Sequence, residues 1–239
     1  MLHTQFLNNM KAGKLLLMLF FYLFYSIKAF SYSDPQNWSY KKQSDINLIT
    51  DFIAEREKYS ETCYKDGHGW SVGFGDFALC ELSIKVLRWQ HKHLKNKSDD
   101  YVRSLVKISK PVAKWRLKIY IIKCYENLEK IEINGKSVTD ILDSKQILSL
   151  IDNIYTRGET KFYKDELWLE YVKPYLTKNK INCVKVAHAF LKQSQYSYTK
   201  QRDGVLSRRL YELLDFTHKS CTYDVKFLVN TLQHYRTIK

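Results

Sequence analysis

The sequence predicts an α+β fold that is mainly helical, on three observations. The 239 residues include only 8 Gly and 3 Pro, little turn material, which favours helices. Apolar residues recur at the 3.6-residue spacing of amphipathic helices in several segments. One segment, Trp70–Gly75, instead alternates with the period of two that marks a strand.

The first helix is carried by Leu48, Ile49, Phe52 and Ile53, and either Ser44 or Asp45 is placed to cap it. Glu57 continues the row Ile49–Ile53–Glu57 at steps of four, so it is expected on the apolar face. A carboxyl held there loses hydration, which favours its protonated form and suits a general acid. Pairing of Glu57 with a nearby Lys or Arg is the ordinary alternative.

The hairpin follows. Asp66-Gly67 and His68-Gly69 are turn chemistry. Trp70, Val72 and Phe74 are expected on one face, and Ser71, Gly73 and Gly75 on the other. The second face has almost no side-chain bulk, a place where a ligand can approach the backbone closely. Asp66 and Ser71 are therefore candidate site residues beside Glu57. Two carboxyl groups in different environments are what glycosidic bond hydrolysis requires.

From Lys85 to Lys130 there are thirteen Lys or Arg against four Asp or Glu, with apolar positions that suggest amphipathic helices with basic outer faces. Pro111 breaks this run or starts a new helix. Further on, a helix is expected near Ile147–Tyr155. An amphipathic helix within Lys219–Lys239 is expected to turn Val225, Leu228, Val229 and Leu232 to one side.

Residues 1–33 differ in kind. Lys11 and Lys14 precede the apolar run Leu15–Ile27, thirteen residues long. A basic start and a short apolar core read as a secretory signal, since a full span needs about twenty apolar residues. Cleavage is the expectation, and a retained membrane anchor the alternative. Residues 34–42 read as a linker and 43–239 as one domain. Export permits disulfides. Cys63 and Cys80 flank the hairpin and can close it, or remain buried thiols, and the odd count of five leaves at least one thiol over. No C-x-x-C or other metal-ligand spacing is present, so neither a metal site nor a cofactor is expected.

The run Glu57–Asp66, followed by Gly69-Trp70-Ser71-Val72-Gly73-Phe74-Gly75, resembles the phage-type lysozymes, whose signature is a Glu, eight or nine residues to Y-x-D, a glycine and T-I-G-Y-G. Leu148–Gly158 looks like the family's central buried helix, and Gly204–Leu213 looks like its G-L-x-x-R-R-x-x-E-x-x-L segment. The three motifs stand in family order from Glu57 to Leu213. The resemblance implies a two-lobed lysozyme-like fold. A small lobe would hold the Glu57 helix and the hairpin, a larger helical lobe would run from about Leu82, and the active site would lie in the cleft between them. It implies that Glu57 protonates the glycosidic oxygen, that Asp66 steers a water or stabilises the oxocarbenium-like centre, and that Ser71, where the family has Thr, helps hold that water. The segment 85–130 looks longer than the family's usual connection and reads as an insertion. Asp76 stands where the family has His; an acid there can tie up a basic partner. The Arg208–Glu212 spacing is an ordinary i, i+4 helix pair.

The activity implied is hydrolysis of the bond between N-acetylmuramic acid and N-acetylglucosamine by an exported monomer in the periplasm or outside the cell. The net charge of +14 suits an anionic bacterial envelope as well as the peptidoglycan strand itself. A non-catalytic glycan-binding protein on the same fold is the alternative. A nucleic-acid-binding protein is disfavoured by the signal-like start and the lack of a recognised binding motif, and membrane contact is expected only through the N-terminal segment.

Overall fold

A computed structural model describes residues 38–66, 69–178, 180–196 and 202–237. The expected signal segment, the first four residues of the expected linker, and Gly67 and His68 at the hairpin tip lie outside the described residues; the last three linker residues belong to the first helix. The molecule is a mainly helical α+β fold with two small antiparallel sheets.

Helix α1 (Tyr40–Arg56) starts earlier than the pattern predicts. The Ser39 hydroxyl accepts the Lys42 N–H at 3.2 Å and so caps the start. Ser44 and Asp45 therefore lie inside the helix, and the buried Asp45 carboxylate accepts the Tyr125 hydroxyl at 3.2 Å instead of capping. The core stripe is Ile46, Ile49 and Ile53, all fully buried, while Leu48 turns outward at 48% exposure.

Strands β1 (Ser60–Asp66) and β2 (Gly69–Gly73) form the predicted hairpin. Tyr64 stands opposite Ser71, Lys65 opposite Trp70 and Asp66 opposite Gly69. Directly opposed residues share a face, as do residues two apart on one strand. Asp66, Tyr64 and Ser71 are thus on one face. The alternation stops at Gly73, earlier than the sequence pattern suggests. Gly73 (φ 69°) and Gly75 (φ 94°) adopt left-handed backbone, and Val72 and Asp76 exchange both backbone hydrogen bonds, at 2.9 and 3.3 Å. Gly73-Phe74-Gly75 is therefore a reverse turn. A Cβ on Gly73 would stand 2.8 Å from the Cβ of Ala113.

Helix α2 (Phe77–Gln90) leaves that turn directly, capped by Asp76, whose Oδ1 accepts the Leu79 N–H at 2.8 Å. The Cys63–Cys80 disulfide joins β1 to α2, and Cys124 is a buried free thiol. After α3 (Asp99–Ser104), the Ile108 N–H donates to the Glu61 carbonyl at 2.8 Å, returning the chain to β1. Helix α4 (Lys110–Glu129) then starts with Pro111 in its first turn, where a missing N–H costs nothing. Its buried line is Ala113, Leu117, Ile121, Cys124 and Leu128. It touches β2 near its start and packs on α6 further along, so the segment 85–130 carries part of the core as well as basic charge.

Strands β3 (Glu132–Ile133) and β4 (Lys136–Ser137) make a second hairpin around Asn134-Gly135, both with positive φ. Asn-Gly is a strong local signal for such a turn. Helix α5 (Val138–Ile141) leads to α6 (Ser144–Arg157), which buries every residue from Gln146 to Ile154. Asp143 and Gln146 close a reciprocal capping box at its start. Beyond α6 lie α7 (Glu159–Tyr163), a π-helical turn (Leu167–Val172) and α8 (Lys173–Lys178). Helices α9 (Cys183–Lys192), α10 (Arg202–Thr217) and α11 (Val225–Thr237) complete the chain. Helix α10 packs on α6 and α9, and the Cys183–Cys221 disulfide ties the start of α9 to the α10–α11 connection. Of the predicted row on α11, Leu228 and Leu232 are half-buried and Leu232 packs against the Leu191, Leu206 and Tyr235 cluster, while Val225 and Val229 are exposed; Thr231 and Tyr235 are the buried positions. The Tyr235 hydroxyl meets His188 Nδ1 at 3.0 Å and fixes that rotation.

Candidate active site

Glu57 lies one residue beyond α1, where its N–H still donates to the Ile53 carbonyl at 2.9 Å. Glu57 thus still follows Ile53 in the helical row, but it is half-buried rather than packed within the apolar stripe. Its carboxylate meets a charge: Oε1 accepts Arg208 Nη1 at 2.6 Å. Arg208, on α10, turns the rest of its guanidinium to Asp152 on α6. Nε donates to Asp152 Oδ2 at 3.0 Å and Nη2 to Oδ1, a bidentate pair. Asp152 is fully buried and also accepts Arg56 Nη1 at 3.3 Å. A buried carboxylate needs such partners, because taking its charge out of water alone is very costly.

Glu212 extends the cluster inward. Arg209 Nη1 lies 2.6 Å from its Oε1, and Asn153 Nδ2 donates to its Oε2 at 2.7 Å. The expected i, i+4 pair is a long contact, with Arg208 Nε 3.8 Å from Glu212 Oε1, because Asp152 and Glu57 hold the Arg208 fork. Burial pushes the Glu212 carboxyl up to about 7; the nearby Asp152 charge adds to this, while Arg209 and Arg208 oppose it. For Arg208, burial works against the charged form, but the hydrogen bonds and charges of Asp152 and Glu57 outweigh it and raise its pKa.

The hairpin side of the site holds Asp66, exposed at the end of β1, and Ser71, only 4% exposed on β2. Two tyrosines, Tyr64 of the hairpin and Tyr155 of α6, meet at the reverse turn. Tyr155, on α6, donates its hydroxyl to the Phe74 carbonyl in the reverse turn. A Cβ on Gly75 would stand 3.3 Å from the Tyr155 hydroxyl and 4.0 Å from the Tyr64 hydroxyl, so glycine allows both phenols to converge there. Burial raises the pKa of Tyr64, and the negative charges of Asp66 and Glu57 raise it further. Burial raises that of Tyr155 as well, with Glu57 the next cause. Tyr64 thus senses both candidate carboxylates.

Asp76, besides capping α2, accepts Arg116 Nε from α4 at 3.2 Å, the basic partner expected for an acid at that position. Sequence reasoning missed Asp152, Tyr64 and Tyr155 as site residues and assigned Arg208 to a helix pair. Arg208 is 151 positions from Glu57, and no local pattern reports that contact. Tyr64 lies two residues before Asp66 within the motif itself, so its place on the Asp66 face was readable.

No family model, curated protein or solved structure matches this chain. Among the described residues, no group of three or more His, Cys, Asp or Glu side chains is placed to hold a metal ion. Nor is any described helix long and apolar enough to cross a membrane.

Proposed function

We propose that this chain is an exported muramidase that hydrolyses the β-1,4 bond between N-acetylmuramic acid and N-acetylglucosamine on a lysozyme-like, two-lobed fold. The observation that carries the reading is the placement of Asp66, Tyr64 and Ser71 on one face of the hairpin, with the Tyr64 hydroxyl beside Gly75 and the Glu57 carboxylate near enough to raise the pKa of that phenol. Glu57 is half-buried and ion-paired, whereas Asp66 is exposed, so the two carboxylates stand in different environments. Glu57 donates its proton to the glycosidic oxygen as the bond to the anomeric carbon breaks and its electron pair leaves with that oxygen. Asp66 steers the water that attacks that carbon, with Ser71 on the same hairpin face.

Arg208 divides its N–H groups between two carboxylates, two to Asp152 and one to Glu57. Two disulfides suit an oxidising compartment and so support export. A wall polymer bearing anionic groups fits the net charge of +14.

The second reading, a glycan-binding protein without turnover, is favoured by one observation: the 2.6 Å contact that ties the Glu57 carboxylate to Arg208. Turbidity loss of purified peptidoglycan decides between them, with the full chain beside Glu57→Gln and Asp66→Asn. Clearing by the parent and none by Glu57→Gln supports the muramidase. Wall binding without clearing by folded parent supports the binding protein.

A further inference from the structure

Two phenols converge on Gly75, and they are used differently. The Tyr155 hydroxyl donates to the Phe74 carbonyl. The Tyr64 hydroxyl has no hydrogen-bond partner among the described residues, although its ring is half-buried. It shares the hairpin face with Asp66 and Ser71. Opposite Tyr64 on that face stands only Ser71; the space beside Gly69 is taken by the Phe77 ring and that beside Gly73 by Ala113, so the hydroxyl's own neighbourhood at Gly75 is where a ligand would meet it. A phenol hydroxyl is a good donor, and in a half-dry site it is left without a protein partner only at a cost unless a ligand or water completes it.

We propose that the Tyr64 hydroxyl is a substrate-binding group that donates a hydrogen bond to an oxygen of the sugar unit held between Glu57 and Asp66. This rests on the muramidase reading of the same site. The aromatic ring supplies a flat apolar wall for the sugar, and the hydroxyl fixes its rotation relative to the two carboxylates. Tyr155 is the built-in contrast: the same chemistry at the same glycine, already committed to holding helix α6 to the turn.

The test compares Tyr64→Phe with Tyr155→Phe in the full chain. Clearing of peptidoglycan is followed by rate. Binding of a soluble N-acetylglucosamine oligomer is measured calorimetrically with each change placed in the Glu57→Gln background, where turnover is absent. Tyr64→Phe should lower kcat/KM about three- to tenfold and weaken oligomer binding by a similar factor, the scale of one neutral hydrogen bond, with Tm unchanged. Tyr155→Phe should lower Tm and leave oligomer affinity within about twofold, since its hydroxyl already has a protein partner. Unchanged binding and rate in Tyr64→Phe, beside an active parent, would overturn the assignment while leaving the muramidase reading intact. Loss of Tm with unaltered affinity in Tyr64→Phe would assign the hydroxyl to structure and overturn it equally. A folded parent that neither clears the wall nor binds the oligomer would remove the muramidase reading, and this inference with it.

Discussion

Arg208 joins Asp152 to Glu57: one guanidinium grips the fully buried Asp152 through two N–H groups and reaches Glu57 with a third at 2.6 Å. Three elements that are remote in the chain, the end of α1, the middle of α6 and the first half of α10, meet at this one side chain. The guanidinium that meets Glu57 is thus held in place by a carboxylate that Glu57 does not touch.

Asp152→Asn removes the fully buried carboxylate that takes two N–H groups of Arg208. Breaking a buried ion pair from one side costs about 3 kcal/mol, because the guanidinium keeps its charge and loses its main partner. The urea midpoint should fall accordingly, and an unchanged midpoint excludes Asp152 as the anchor of Arg208.

Glu212 provides a stability signature. Its carboxyl, pushed up by burial from the ordinary 4.5 to about 7, binds more protons in the folded than in the unfolded chain between those values. Stability gained from that proton is complete below about 4.5 and is lost as pH rises through about 7. Urea midpoints across this window should fall with rising pH, and Glu212→Gln should flatten the slope.

Asp143 works in the opposite sense at the other end of α6. Burial tends to raise its pKa, but the Lys219 ammonium at 2.7 Å, the Gln146 N–H and His218 together lower it below the ordinary value. Its stabilisation is present above the unfolded pKa and lost as pH falls through the folded one. Asp143→Ala should cost about 1 kcal/mol at neutral pH through the lost cap, read as a lower urea midpoint, with a smaller difference from the parent in strong acid.

Gly73→Ala tests the turn. The left-handed backbone (φ 69°) and a Cβ placed 2.8 Å from the Cβ of Ala113 act together. The cost should be about 2 kcal/mol, the scale of an overpacked contact. A matching Ala113→Gly change should recover part of it, and the thermal midpoints of both single variants and the double variant give the coupling.

The elements were legible where the code is local. Trp70–Gly73 alternates, α6 shows its apolar stripe, and Pro111 marks the start of α4. Glu57 and Asp66 stood out in the sequence because they lie within a few residues of the hairpin; the structure sets the first against Arg208 and leaves the second exposed. The site was not legible where charge decides. Pairing of Glu57 with a Lys or Arg was the ordinary alternative and is present, but nothing near Glu57 in the chain reveals that the partner is a guanidinium on α10, 151 positions away. The start of α1 was misplaced because Ser44 and Asp45 have cap chemistry, while the residue that caps, Ser39, lies in what reads as linker. Asn134-Gly135 carried a clear turn signal that the surrounding basic helices obscured.

The disulfide Cys183–Cys221 closes a stretch of chain 38 positions long that contains all of α10, and with it Arg208 and Glu212. A protease that nicks the backbone anywhere within that stretch produces two polypeptides but only one molecule. Its parts separate on a gel only after a reductant is added, and until then the charged cluster stays tethered to both halves of the cut chain.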